Sequence, residues 1–166
     1  MAAEEAFPPS PVGEPEIKTL PAGVLLKASA PGRYFDQSNR LFRPLFRYIS
    51  TNDIAMTTPV EAQIEGAAMF FWVAPSQRAK VAGNREGVEV VEVPERLVAS
   101  LGARGGYTEA NFAKVRDQLQ AWLGTQSQVE AIGPAYGVFW NGPFLPGFMK
   151  RFEVHVPVRR TNPVAP

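Results

Sequence analysis

The chain states one pattern twice. Glu16 to Ser50 reads as an extended run, a proline, a second extended run, a glycine–aromatic turn and an amphipathic helix. Glu89 to Leu123 repeats that order 73 positions on, the separation of Pro21 and Pro94. Under this shift Val24 meets Leu97, Ala30 meets Ala103, Gly32 meets Gly105 and Tyr34 meets Tyr107. The apolar helix positions Phe42, Phe46 and Ile49 meet Val115, Leu119 and Trp122. Matched turns and matched apolar positions predict one supersecondary unit used twice. Such pairs tend to pack about a pseudo-twofold axis, with the seam between halves a natural ligand cleft.

Periodicity fills in the elements. Ile17–Leu20 and Val24–Ala30 read as strands flanking Pro21 and Gly23, and Pro31-Gly32 as a turn. Ser38 or Asn39 is the expected cap of a first helix ending near Ser50. At 100° per residue Leu41, Phe42, Leu45, Phe46, Tyr48 and Ile49 share an arc of roughly 160°, with Arg40, Arg43 and Arg47 opposite. Pro44 requires either a helix start near Arg43 or a kink. Ile54–Val60 is extended around Met56-Thr57-Thr58-Pro59. Ala67–Ala74, with Phe70-Phe71-Trp72, is a strand buried on both faces. Gln77–Glu86 is a polar connector.

The second copy begins with strands Gly87–Val93 and Arg96–Ala103. Thr108 caps a helix to Leu123 whose buried stripe is Phe112, Val115, Leu119, Trp122 and Leu123, with Gly124 as C-cap. Ala135–Trp140 is a strand, Asn141–Phe148 a Pro/Gly loop, and Phe152–Arg159 the last strand. Alternation there puts Phe152, Val154, Val156 and Val158 on one face and Glu153, His155 and Pro157 on the other. The implied fold class is α+β: a distorted antiparallel-rich β-barrel from two pseudo-symmetric β-α-β-β repeats with two flanking helices. Residues 16–160 form one domain, with repeat one at 16–76 and repeat two at 87–160. The Pro-rich, acidic stretch 1–15 reads as a disordered leader and 161–166 as a loose tail.

Composition removes whole classes of chemistry. There is no cysteine, which excludes disulfides, thiolate metal sites, covalent heme attachment and cysteine nucleophiles. A net charge of +1 gives no electrostatic reason to expect nucleic acid. No apolar stretch is long enough for a membrane span and no secretory signal opens the chain, so a cytoplasmic monomer or weak dimer is expected.

Several segments together resemble the SOUL heme-binding family. The first is the helix from Arg40 through Tyr48-Ile49 leading into Met56-Thr57-Thr58-Pro59-Val60. The others are Val91 to Arg96, the helix ending Ala121-Trp122-Leu123, and Gly142-Pro143-Phe144-Leu145-Pro146 followed by Lys150 to Val154. The resemblance spans about Glu16 to Val158. It implies a barrel of repeated units and non-covalent binding of heme b or another tetrapyrrole, for buffering, transport or sensing. It implies an apolar cleft bordered by the first helix and the loop before the last strand. Leu145 or a neighbour stands where some members carry lysine, and Asn39 where some carry arginine.

Heme needs a flat apolar slot, cations for two propionates and optionally a nitrogen or sulfur ligand. Phe42, Phe46, Met56, Phe144, Leu145 and Phe148 are the slot candidates; core packing is the competing role for Phe46, since an apolar helix stripe usually faces inward. Arg40, Arg43 and Arg47, and separately Lys150 with Arg151, are the cations. His155 is the single histidine and hence the only imidazole for iron, against a solvent-facing or hydrogen-bonded strand histidine. No hydrolase, metalloprotease or nucleotide-binding motif is present, so turnover is not expected. The one catalytic pair is Glu153 with His155. Glu153 as base in a small-molecule pocket, resembling GyrI-like domains, is the alternative function, against an exposed or Arg-paired glutamate.

Overall fold

The structure is a computed structural model that describes residues 4–141 and 146–161. The chain divides into two compact units: residues up to Pro8 with Pro21–Glu95, and Pro9–Leu20 with the residues from Arg96 on. The fold class is α+β with antiparallel sheet, as expected.

In the first unit β1 (Glu4–Glu5) runs parallel to β4 (Thr57–Thr58). Its main sheet is antiparallel in the order β5 (Val60–Gln63), β6 (Ala68–Val73), β3 (Gly23–Ser29), β7 (Glu89–Val93). Helix α1 (Tyr34–Thr51) packs on β3 and β6. The second unit orders β2 (Glu16–Leu20), β8 (Arg96–Arg104), β11 (Arg151–Arg160) and β10 (Tyr136–Phe139), all antiparallel. Its helix α2 (Glu109–Leu123) packs on β8 and β11, and β9 (Val129–Ala131) pairs the far end of β11.

The strands either side of Pro21 therefore do not pair with each other: β2 pairs with β8 and β3 with β7. The chain leaves one unit at Leu20–Pro21 and leaves the other after Glu95, next to Pro94. A proline has no N–H to give a ladder, so it sits where pairing changes partner. The compact units thus cut across the sequence repeat.

The repeat holds at the turns. Gly32 and Gly105 both take positive φ, +92° and +139°, a region that side chains with a Cβ avoid. It slips by one residue at the helices. Buried on α1 are Tyr34, Leu41, Leu45, Tyr48 and Ile49; buried on α2 are Phe112, Val115, Leu119 and Leu123. Leu41, Leu45 and Ile49 are thus the counterparts of Val115, Leu119 and Leu123. A one-residue slip is a rotation of about 100°, and it turns Phe42 and Phe46 away from the core.

Helix α1 starts at Tyr34, ahead of the expected Ser38 or Asn39 cap, because the Tyr34 N–H reaches the Ile64 carbonyl at 2.9 Å and its ring is buried. It runs through Pro44 without a break. On α2 the Thr108 hydroxyl accepts from the Asn111 N–H at 3.1 Å, as expected of an N-cap. Gly124 has φ −61°, so the helix ends without the left-handed residue. Thr108→Ala is expected to cost about 1 kcal/mol, read as a lower urea midpoint at unchanged slope.

The leader expectation is corrected. From Glu4 onward the segment is packed, with Phe7 and Ser10 buried. Prolines leave few N–H groups to satisfy, and several of the rest are bonded: Ala6 to the Thr58 carbonyl at 2.7 Å, Ser10 to Glu153 at 2.8 Å and Gly13 to the Gly102 carbonyl at 2.9 Å. In the last Pro/Gly loop, residues 142–145, hence Phe144 and Leu145, lie outside the described residues; Gly147–Met149 forms a 3-10 turn.

Candidate functional site

On α1 the rings of Phe42 and Phe46 stack on each other, centroids 5.5 Å apart and 21° from parallel. They are 40% and 52% exposed. Core packing is therefore not the role of Phe46. Phe42 keeps one contact with the sheet, edge-on to Phe71 at 5.8 Å. Arg40, Arg43 and Arg47 are exposed on the same helix. By helical geometry Arg43 lies only about 60° around the axis from Phe46, so the aromatic pair has a basic border. Met56, half-buried, follows the helix, and beside it the buried Thr57 Oγ1 has no hydrogen-bond partner among the described residues. In the same unit the buried Glu61 accepts from the indole of Trp72, whose ring meets Phe7 edge-on.

The second unit holds a polar centre around Glu153, which is 1% exposed. Its Oε1 accepts from Lys18 Nζ at 2.7 Å, Ser100 Oγ at 3.0 Å and His155 Nε2 at 2.7 Å. Its Oε2 accepts from the Ser10 N–H and from Trp140 Nε1, each at 2.8 Å. Two structural alternatives weighed above are corrected here: Glu153 is neither exposed nor paired with Arg151 or Arg159, and His155 does not face solvent. Residues 152–156 of β11 are buried on both faces: α2 packs on the strand, and the Ser10 segment closes over Glu153.

His155 is fully buried, with Tyr136 Oη 3.3 Å from Nδ1 and the Glu153 carboxylate at Nε2. These partners fix the tautomer: Nε2–H donates to Glu153 and Nδ1 accepts from Tyr136. Both ring nitrogens thus have a polar neighbour within the unit. Among the described residues, no group of three or more His, Asp and Glu is placed to hold a metal.

Burial pushes the Glu153 carboxyl up, but the hydrogen bonds from His155 and Lys18 and the Lys18 charge outweigh it and hold the group well below the usual carboxylate range. Burial pushes the His155 imidazole down; its bond to Glu153 opposes this, and the Lys18 and Arg96 charges reinforce it. The pair therefore rests as a carboxylate beside a neutral imidazole.

The remaining candidates separate by unit. Among the described residues Phe148 is the most exposed large apolar side chain, and Lys150 Nζ stands 4.9 Å above the Tyr107 ring, both in the second unit. Phe42, Phe46, Met56 and the helix arginines belong to the first.

The model of the SOUL heme-binding protein family matches residues 10–157. The chain belongs to the SOUL family. No curated protein matches the sequence. Solved structures share the fold at low identity. EcmrR in a DNA complex aligns with a TM-score of 0.70 at 11% identity, covering 89% of this chain and 58% of that one. This SOUL chain thus spans little more than half of that EcmrR chain. A hydrolase from Listeria innocua aligns at 0.61 and 11% identity, covering 90% and 94%. SAV2435 bound to tetraphenylphosphonium aligns at 0.56 and 12% identity, covering 88% and 94%. No helix among the described residues is long and apolar enough to cross a membrane.

Sequence reasoning missed Ser10, Lys18, Ser100 and Trp140 around Glu153, and the Glu61–Trp72 pair. Each of the four is ordinary where it stands in the chain. Their partnership spans 143, 135, 53 and 13 positions from Glu153, a separation with no local signature.

Proposed function

We propose that this SOUL-family chain binds heme or a related tetrapyrrole non-covalently, with the Phe42–Phe46 pair of α1 as its apolar contact. The observation that carries the reading is that pair: two stacked aromatic rings left on the surface of a helix whose own core stripe is complete without them. Surface aromatics placed together mark a binding face more often than a folding device. Arg43 and Arg47 supply cations for propionates, and Met56 offers further apolar contact. His155, with both nitrogens engaged, leaves the porphyrin held by face contact rather than by imidazole. A bound heme would supply an iron with open coordination, which suits buffering, transport or sensing.

Hemin titrated into micromolar protein is expected to give a shifted Soret band. Phe42→Ala with Phe46→Ala, both at exposed positions, is expected to weaken binding at least about tenfold while leaving the fold intact. Absence of a shifted band, or equal binding by the double variant, would sink the reading.

A second reading is a small-molecule pocket using Glu153. What favours it is an ionised carboxylate held in a buried site, in a fold shared with a protein bound to tetraphenylphosphonium. What opposes it is that both carboxylate oxygens are already bonded. Tetraphenylphosphonium titrated against the wild type and Glu153→Gln separates the two: binding that depends on Glu153 favours the pocket.

A further inference from the structure

Pro9 to Gly13 lies on the second unit as a strap, and its seat grips the main chain as well as one small side chain. Ser10 is fully buried. Its N–H donates to Glu153 Oε2 at 2.8 Å, and its carbonyl accepts from Arg151 Nη2 at 3.0 Å. A carboxylate and a guanidinium thus read the donor and the acceptor of one residue. The Ser10 hydroxyl lies 2.8 Å from both Ser100 Oγ and Glu16 Oε1.

The strap continues where β2 stops. Strand β2 pairs with β8 only as far as Ser100. Beyond it Val12 bridges Gly102 in parallel register, and the Gly13 N–H donates to the Gly102 carbonyl. Gly102 marks the closest approach. A Cβ there would stand 2.8 Å from the Pro11 carbonyl oxygen and 2.9 Å from that of Ser10, and backbone atoms cannot swing aside. The seat therefore needs a glycine because a peptide lies across it. Pro9, Pro11, Val12 and Gly13 are exposed. Beside the strap a hollow of about 490 Å³, lined by Val12, Gly13, Ala103 and Gln118 among others, leaves it unsupported on one side.

A free strand edge, a glycine floor and two opposite charges that read the backbone of one residue are the parts of an extended-peptide site. We propose that this seat is a peptide-docking site, filled in cis by Pro9–Gly13, and that a Pro-Ser-Pro segment of another polypeptide can take its place. Exchange of the strap would uncover Glu153 and Ser100. The inference stands apart from tetrapyrrole binding, which uses the first unit.

The test uses the full chain and a fluorescent peptide of residues 6–13. A tethered strap competes at an effective concentration on the order of millimolar, so about 100 μM peptide should fill under roughly a tenth of wild-type sites. Ser10→Pro removes the N–H that Glu153 binds and should free the seat. Saturable peptide anisotropy is expected with Ser10→Pro and none when Gly102→Val is added. In the wild type, the Ser10 and Gly13 amides should exchange with solvent much faster than those of β8 and β11, showing that the strap opens alone. A folded Ser10→Pro chain that ignores the peptide, or binding indifferent to Gly102→Val, overturns the proposal. Strap amides as slow as the strand amides overturn it too, and that measurement decides if Ser10→Pro does not fold.

Discussion

Glu153→Leu is expected to lose about 3–5 kcal/mol of folding stability. Leucine is of similar volume, so the effect is not chiefly a cavity. It is the loss of the one buried carboxylate on which five donors, those of Ser10, Lys18, Ser100, Trp140 and His155, converge. Each donor left without an acceptor keeps its desolvation cost, and for the Lys18 ammonium that cost is a charge's. Glu153→Gln should lose less, since its carbonyl oxygen still accepts while its amide faces donors. Adding Lys18→Met to Glu153→Leu should recover part of the loss, because the buried ammonium that lost its carboxylate leaves with it. Urea unfolding measures all three. A loss under about 1 kcal/mol for Glu153→Leu would show that the centre is solvated in solution and the network is not what holds β2, β8 and β11 together.

Stability is also expected to fall in two steps on acidification. His155 has its folded pKa pushed below the ordinary 6.5. Below about pH 6.5 the unfolded chain therefore takes up a proton that the folded chain refuses. Stability then drops by up to about 1.4 kcal/mol per pH unit. Glu153 acts lower. Its folded pKa is depressed from 4.5, so its contribution is complete above that value and is lost as pH falls further. His155→Gln should flatten the upper step and also shrink the lower one, since His155 helps hold the Glu153 pKa down. Urea midpoints measured between pH 7 and pH 3 test both. A wild type equally stable at pH 7 and pH 5 would mean that the imidazole is reached by water and charged in the fold.

The legible parts of this protein are the local ones. The Thr108 cap, the paired turn glycines and the strands around Phe71 and Val154 follow from the preferences of a few adjacent residues. The helix stripe was legible to within one residue, but that residue mattered. The 73-position match put Phe42 and Phe46 opposite Val115 and Leu119, in the core. The turn and the helix do not share one register, and only packing shows that Leu41 and Leu45 face inward. The N-terminal segment misled in the other direction. Its composition is that of a disordered chain, yet a buried carboxylate and a glycine floor far along the sequence give it a place to lie.

The sequence alone determined that a unit was used twice, that its class is α+β, and that cysteine chemistry is excluded. These are consequences of period, turn residues and composition, which act between neighbours. Tertiary structure alone decided how the strands pair. Sequence order sets β2 beside β3, while the ladders join β2 to β8 and β3 to β7. It also decided that Glu153 and His155 are a buried, mutually bonded pair. Burial and charge partnership depend on which distant strands flank β11, and no residue carries that information by itself.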